Sequence, residues 1–318
     1  MSKSIEIVAE AESEEANIGE PGAGAGEAGR DRILTPEEFR RILASYDPKT
    51  GFREWSGRSY NIAYGCAHNC RYCLQRQNGV RHGDVPSREA WQNEVIKAVR
   101  PKVHECEGGV MFPSAHDITP PLLAATVVAI RDLLAARNEV LIVSKPHLDC
   151  ITKICQTFKG SEKILFRFTI GTLNRKLAAF WEPGAPDPSE RVACLKYAKG
   201  QGYRTSVSME PMLAGTEETF RTFQRLLPLV TETIWIGRMN LKAVFGDELG
   251  VRAAYQYVRA LQSDAYILEL VSRLGAEPKV RWKDSIRDVI RTHVGMRAAE
   301  TSMPTPQQSH LIQHSAQQ

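Results

Sequence analysis

The sequence predicts an α/β fold organised on a parallel sheet. Short apolar runs at 59–64, 109–113, 140–143, 164–170, 204–209 and 233–237 alternate with stretches of helical periodicity. Repetition of strand and helix implies parallel strands joined by right-handed crossovers. Val140-Leu141-Ile142-Val143 is apolar without a break, as a strand buried on both faces should be. The pattern leaves a doubly wound sheet and a barrel both open.

Taken in order, residues 1–30 hold seven Glu against Lys3 and Arg30, with almost no large apolar residue after Ile18. A disordered acidic tail is expected there. Thr35-Pro36-Glu37-Glu38 reads as an N-cap with Pro at the first helical position, so a helix should cover about 36–45. Asp47-Pro48-Lys49-Thr50-Gly51 is a turn. The strand at 59–64 runs straight into Cys66. Helices fit 87–100, 121–137, 147–158, 173–180, 188–201, 216–229 and about 248–261 between the later strands. The body thus spans 31–262. Residues 263–297, with Lys279-Val-Arg-Trp-Lys283 and Ile286-Arg-Asp-Val-Ile290, are expected to add one or two helices that close the open side. The stretch 298–318 is rich in Ser, Thr, Pro and Gln and should be a disordered tail.

A chain of 318 residues, 42% hydrophobic, suits one large α/β domain or two small ones. Net charge is +4; residues 1–30 contribute −5, so the remainder carries +9. A basic body suits an anionic partner such as nucleic acid, and equally an ordinary basic enzyme. There is no apolar run of about 18 residues and no secretory signal, so no membrane span and a soluble, cytoplasmic protein are expected. Seven cysteines in a reducing compartment should be thiols or metal ligands.

The chemistry concentrates in Cys66-Ala-His-Asn-Cys70-Arg-Tyr-Cys73. Three thiols in C-x3-C-x2-C spacing can fold onto one small metal cluster, and three thiolates on a four-iron cluster leave one iron open. Structural zinc is the alternative, with His68 or His82 as a fourth ligand, although no second Cys or His pair follows at zinc-site spacing. Cys150, Cys155 and Cys194 fall on predicted helices and read as core thiols. Cys106 precedes the second predicted strand, away from the strand ends that carry chemistry.

The cysteine spacing, with an aromatic before the last cysteine, resembles the radical S-adenosylmethionine (SAM) enzymes. The resemblance implies a partial (β/α)6 barrel whose cluster loop follows the first strand. It implies a 4Fe–4S cluster held by Cys66, Cys70 and Cys73, with SAM on the open iron. It further implies reductive cleavage of SAM to a 5′-deoxyadenosyl radical that abstracts hydrogen from a substrate, and a one-electron donor of flavodoxin or ferredoxin type. On such a barrel the strand ends are the places for SAM. Tyr72 would pack near the adenine, or simply pack the loop. Lys145 comes just after the buried apolar strand 140–143, where a lysine is costly unless paired; with Ser114 it would hold the methionine end, a structural salt bridge being its other reading. Asp117 would bind an amino or hydroxyl group, or cap a helix. Thr169, Ser208 or Glu210 would meet the ribose, and Gly237 would allow close approach of the adenine. Arg238 and Asn240 would face substrate at the mouth.

Within that family the likeness is greatest to the spore photoproduct lyase-like (DNA repair photolyase-like) group, over about residues 55–240. It rests on Gly65-Cys66, Ser114, Lys145 and the stretch Trp181-Glu-Pro-Gly-Ala-Pro-Asp-Pro-Ser-Glu-Arg191 with Gly202. Two departures stand out. The lyases carry a cysteine where this chain has Phe112 and a tyrosine where it has Leu74, so their hydrogen-return path is missing. The hydrogen donor, and whether SAM is consumed or regenerated, are not readable from the sequence. A radical SAM enzyme acting on a nucleic acid or nucleotide is therefore one reading, and one acting on a peptide or small molecule a second. A non-catalytic zinc- or cluster-bearing nucleic-acid-binding protein is the third.

Overall fold

The computed structural model describes residues 3–14, 32–46, 49, 51–99, 102–239 and 249–295. Its frame is a seven-stranded parallel sheet: β1 (Arg58–Ser59), β4 (Val110–Phe112), β5 (Val140–Ser144), β6 (Ile164–Thr169), β7 (Arg204–Met209), β8 (Ile234–Ile236) and β9 (Val280–Trp282) lie side by side in that order. A separate antiparallel pair joins β2 (Ala63–Tyr64) to β3 (Val95–Ile96). Because the large sheet follows sequence order without reversal, crossovers of one hand place their helices on one side. The sheet curls into a half-barrel, its concave face left for side chains and the site.

The register explains the core. Val140 pairs with Val110 and Ile164, and Ile142 with Phe112 and Phe166. Strand side chains alternate between faces. Phe166 and Phe168 of β6 pack into the apolar core, while Arg167 stacks on Trp55 and Trp235 and Thr169 reaches the cavity described below. Helices α4 (Leu123–Ala135), α5 (Leu148–Thr157), α6 (Arg175–Trp181), α7 (Pro188–Gly200) and α8 (Thr216–Leu226) connect these strands. Ahead of the sheet, α2 (Pro36–Ala44) opens with a capping box: Glu38 N–H donates to Thr35 Oγ1, and Thr35 N–H to Glu38 Oε2.

Four expectations are corrected. The first strand is not continuous over 59–64: β1 joins the sheet and β2 leaves it for β3. Residues 87–100 do not form a helix. A short 3-10 turn at Glu89–Gln92 leads into β3, because the Trp91 carbonyl accepts the Cys66 N–H at 2.7 Å and fastens this segment to the cysteine loop. Instead α3 (Leu74–Arg81) follows the cysteines, with Gly79 against the Trp91 ring. Residues 279–283 are not helical: Val280 and Trp282 are buried and alternate with Arg281, making β9 the seventh strand between α10 (Asp264–Leu274) and α11 (Asp284–His293). Within the expected acidic tail, α1 (Lys3–Glu14) is helical and docks on α6 and α9 (Leu249–Leu261). Val8, fully buried, packs there in one apolar cluster with Leu177, Phe180, Val251 and Val258. Residues 15–31 and 296–318, including most of both predicted tails, lie outside the described residues.

Candidate functional site

A cavity of about 510 Å³ opens at the C-terminal ends of the strands. Cys66, Cys70 and Cys73 line it from the loop after β2. Ser114 and Asp117 enter after β4, Lys145 after β5, Thr169 at the end of β6, Glu210 after β7, Arg238 after β8 and Lys283 after β9. Strand ends in a sheet of this topology are where ligands collect.

The cysteine loop is held from two sides. Gly65, at φ +80°, has no room for a side chain: a Cβ would stand 2.5 Å from the Trp91 carbonyl oxygen. From the stretch Trp181–Arg191, Gly184 N–H donates to the His68 carbonyl at 3.0 Å, and the Trp181 carbonyl accepts the Arg71 N–H at 2.8 Å. Tyr72 lines the cavity and donates its hydroxyl to Glu182 Oε1. Glu182 in turn pairs with Arg191 at 2.6 Å, and the Arg191 guanidinium also donates to the Pro186 and Thr169 carbonyls. That triad pins Tyr72 and ties the loop to β6.

Asn61 shapes the turn after β4, its Oδ1 accepting the N–H groups of Ser114 and Ala115 at 2.8 Å each. The Asn61 amide also donates to Ser114 Oγ at 2.9 Å. Asp117 lines the cavity, does not cap the following turn, and has neighbours on both oxygens. Its Oδ1 accepts from Ser144 Oγ at 2.8 Å and from Lys145 N–H at 2.6 Å. Its Oδ2 meets His68 Nδ1 at 2.9 Å and Lys145 Nζ at 3.7 Å. The neighbouring 3-10 turn, Pro120–Leu122, has Thr119 and not Asp117 at its N-cap position.

Burial dominates the titration of the thiols. It pushes Cys70 up to about 12. Cys66 and Cys73 rise as well, Cys66 with a further push from Asp117. Burial works against the charged forms of Asp117 and Lys145 too, but their neighbours outweigh it. Lys145 and His68 hold Asp117 well below the usual carboxylate range, and Cys70 and Asp117 raise Lys145. Glu210 is pushed up to about 6 by burial, with Lys283 opposing.

Three thiols on one wall of one cavity, with an ammonium among its lining residues, fit a metal cluster with an open position. Burial keeps these thiols protonated, and metal binding would release their protons. No fourth cysteine lines the cavity. Cys150, Cys155 and Cys194 lie in the apolar core, and Cys106 is tied to Asn138 at the other end of the sheet. His82 is exposed and does not line the cavity. His68, the other zinc-ligand candidate, forms with Cys66 and Asp117 a set of donor atoms within 4.8 Å of one another.

Of the expected SAM contacts, Tyr72, Ser114, Lys145, Thr169 and Glu210 line the cavity. Ser208 and Gly237 do not. Ser208 lies deeper in β7 than Glu210, and Gly237 is packed under Glu210 and Lys283, 3.0 Å and 3.1 Å from where a Cβ would stand. Arg238 lines the rim, paired with Asp264 at 2.9 Å; Asn240 lies outside the described residues. Phe112 faces the core, whereas Leu74 lines the cavity. The sequence reading missed Trp55 and Lys283. Lys283 carries the same signal as Lys145, a lysine directly after a strand, but its strand had not been recognised. It is buried against Glu54 at 3.0 Å and Glu210 at 3.5 Å.

No family model matches the chain. An uncharacterised protein of Acidianus two-tailed virus is 27% identical over 221 residues, covering 64% of this chain and 71% of that one. Among solved structures, spore photoproduct lyase complexed with dinucleoside spore photoproduct is 15% identical, with a TM-score of 0.45 over 81% of this chain and 82% of that one. SuiB of Streptococcus suis is 11% identical, with a TM-score of 0.42 over 75% of this chain and 50% of that one. Likeness at this level leaves the chemistry of the site to be read from its own residues. No helix among the described residues is long and apolar enough to cross a membrane.

Proposed function

We propose that the protein is a radical SAM enzyme. The observation that carries this reading is the convergence of Cys66, Cys70 and Cys73 with Lys145 on one strand-end cavity. Cys66, Cys70 and Cys73 would hold a 4Fe–4S cluster, which with SAM bound would supply one-electron cleavage of SAM and hydrogen abstraction from substrate. The chain's own part is position, charge and exclusion of water. Lys145 offers an ammonium to the SAM carboxylate, and Ser114 a hydroxyl to its methionine end. Tyr72, fixed by Glu182, walls the cavity beside the loop. Thr169 and Glu210 are the ribose candidates, and a flavodoxin- or ferredoxin-type donor supplies the electron.

A nucleic acid or nucleotide is the substrate class we favour, supported by the +9 charge outside residues 1–30. An oligonucleotide would then bind with a steep salt dependence, whereas a peptide or small-molecule substrate would leave oligonucleotides unbound.

Anaerobic reconstitution with iron and sulfide tests the metal centre. Wild type should take up iron and sulfide in the equal ratio of a four-iron cluster, and Cys70→Ala should lose it. One tightly held zinc per chain, retained in Cys70→Ala, would instead favour the set of Cys66, His68 and Asp117 and a non-catalytic role.

A further inference from the structure

Asp117 is a heavily shared polar group on the cavity wall and is 8% exposed. Ser144 Oγ and Lys145 N–H donate to its Oδ1, and His68 Nδ1 and the Lys145 ammonium lie 2.9 Å and 3.7 Å from its Oδ2. Oδ2 also lies 3.6 Å from Cys66 Sγ. His68, fully buried between Cys66 and Cys70, holds that oxygen with Nδ1, while its own Nε2 lies 3.2 Å from Nε2 of His147. A chain of side chains thus runs from the N-terminal end of α5 to the first cysteine sulfur and keeps a carboxylate against it.

We propose that Asp117 lowers the reduction potential of the metal cluster held by Cys66, with His68 and Lys145 as positioning residues that hold the carboxylate in place. The inference rests on the cluster reading above. Metal binding removes the thiol proton, and with it the hydrogen bond that Cys66 donates to Asp117. Two negative groups then face each other 3.6 Å apart, and the Lys145 ammonium, 3.7 Å from the same carboxylate oxygen, offsets only part of their repulsion. Net charge and hydrogen bonds to the sulfurs set iron–sulfur potentials. A carboxylate in this position makes the cluster harder to reduce and, once reduced, a stronger electron donor. That is the property reductive cleavage of a sulfonium needs. The sequence alone suggests capping or ligand binding for Asp117; only the fold brings it to the sulfur.

The test is the midpoint potential of the reconstituted cluster, read by electron paramagnetic resonance during a redox titration of wild type, Asp117→Asn and Asp117→Glu. Asp117→Asn should shift the midpoint to a more positive potential, because it removes a charge and offers an amide N–H to the sulfur. Asp117→Glu keeps the charge and should stay closer to wild type. An Asp117→Asn midpoint equal to or below that of wild type overturns the inference. So does loss of the cluster from both variants, which would make Asp117 part of the scaffold. Wild type that binds no cluster is a separate outcome and removes the cluster reading itself.

Discussion

Replacing Arg191 with methionine probes how the cysteine loop is held. Its side chain and that of Glu182 are 1% and 0% exposed, 2.6 Å apart. Removing one partner of so buried a pair costs about 3–5 kcal/mol, because the remaining charge has no water to turn to. At about 2 °C per kcal/mol, the low end of the range for domains of some 150–250 residues, Tm should fall by about 6–10 °C. Replacing Glu182 with methionine as well removes the stranded charge. The Tyr72 hydroxyl then lacks its acceptor, so a deficit of about 1–3 kcal/mol should persist. Urea unfolding of the cluster-free protein under reducing conditions measures both variants. A loss below about 1 kcal/mol for Arg191→Met, the range of an exposed pair, would refute the reasoning. A double variant no more stable than the single one would refute it equally.

Three further outcomes follow from other parts of the molecule. Glu210 has a folded-state pKa near 6, raised by burial, so it binds its proton more tightly folded than unfolded; its contribution to stability is present below about pH 4.5 and is lost as pH rises through 6. Glu210→Gln should flatten the stability profile across that window, and an unchanged slope would contradict the assignment. Val8→Asp places a charge in a fully buried position and should undock α1, making residues 3–14 a site of limited proteolysis that wild type protects. In Gly79→Ala the new methyl group would stand 2.5 Å from the Trp91 ring. That should cost about 1–3 kcal/mol by overpacking, seen as a lower urea midpoint, and a neutral result would mean the ring yields freely.

Much of the fold is legible because its strands are apolar enough to declare themselves. Val140–Val143 and Ile164–Ile170 cannot be mistaken once helices flank them. The strand that escaped, β9, has Arg281 at its centre and Lys279 and Lys283 flanking its two ends, and Lys283 is tolerated in the interior because Glu54 and Glu210 meet it. Local pattern could not announce a partner more than two hundred residues away. Similarly, α1 reads as a solvated acidic segment unless one knows that Val8 finds Leu177 and Val258. At the site, cysteine spacing located the loop, and a lysine after a buried strand located Lys145. Depth along a strand is less legible: Ser208 and Glu210 look equivalent in sequence, yet of the two only Glu210 lines the cavity. The partnership of His68, Asp117 and His147 joins three separate segments and had no local signal.

Formation of 5′-deoxyadenosine tests the central claim most directly. The protein is reconstituted anaerobically with iron and sulfide, given SAM and reduced. The account predicts release of the nucleoside, lost when Cys66, Cys70 or Cys73 is replaced by alanine and weakened in Lys145→Ala. A correctly assembled cluster that yields no 5′-deoxyadenosine under strong reduction, or yields the same amount without the three cysteines, would contradict it.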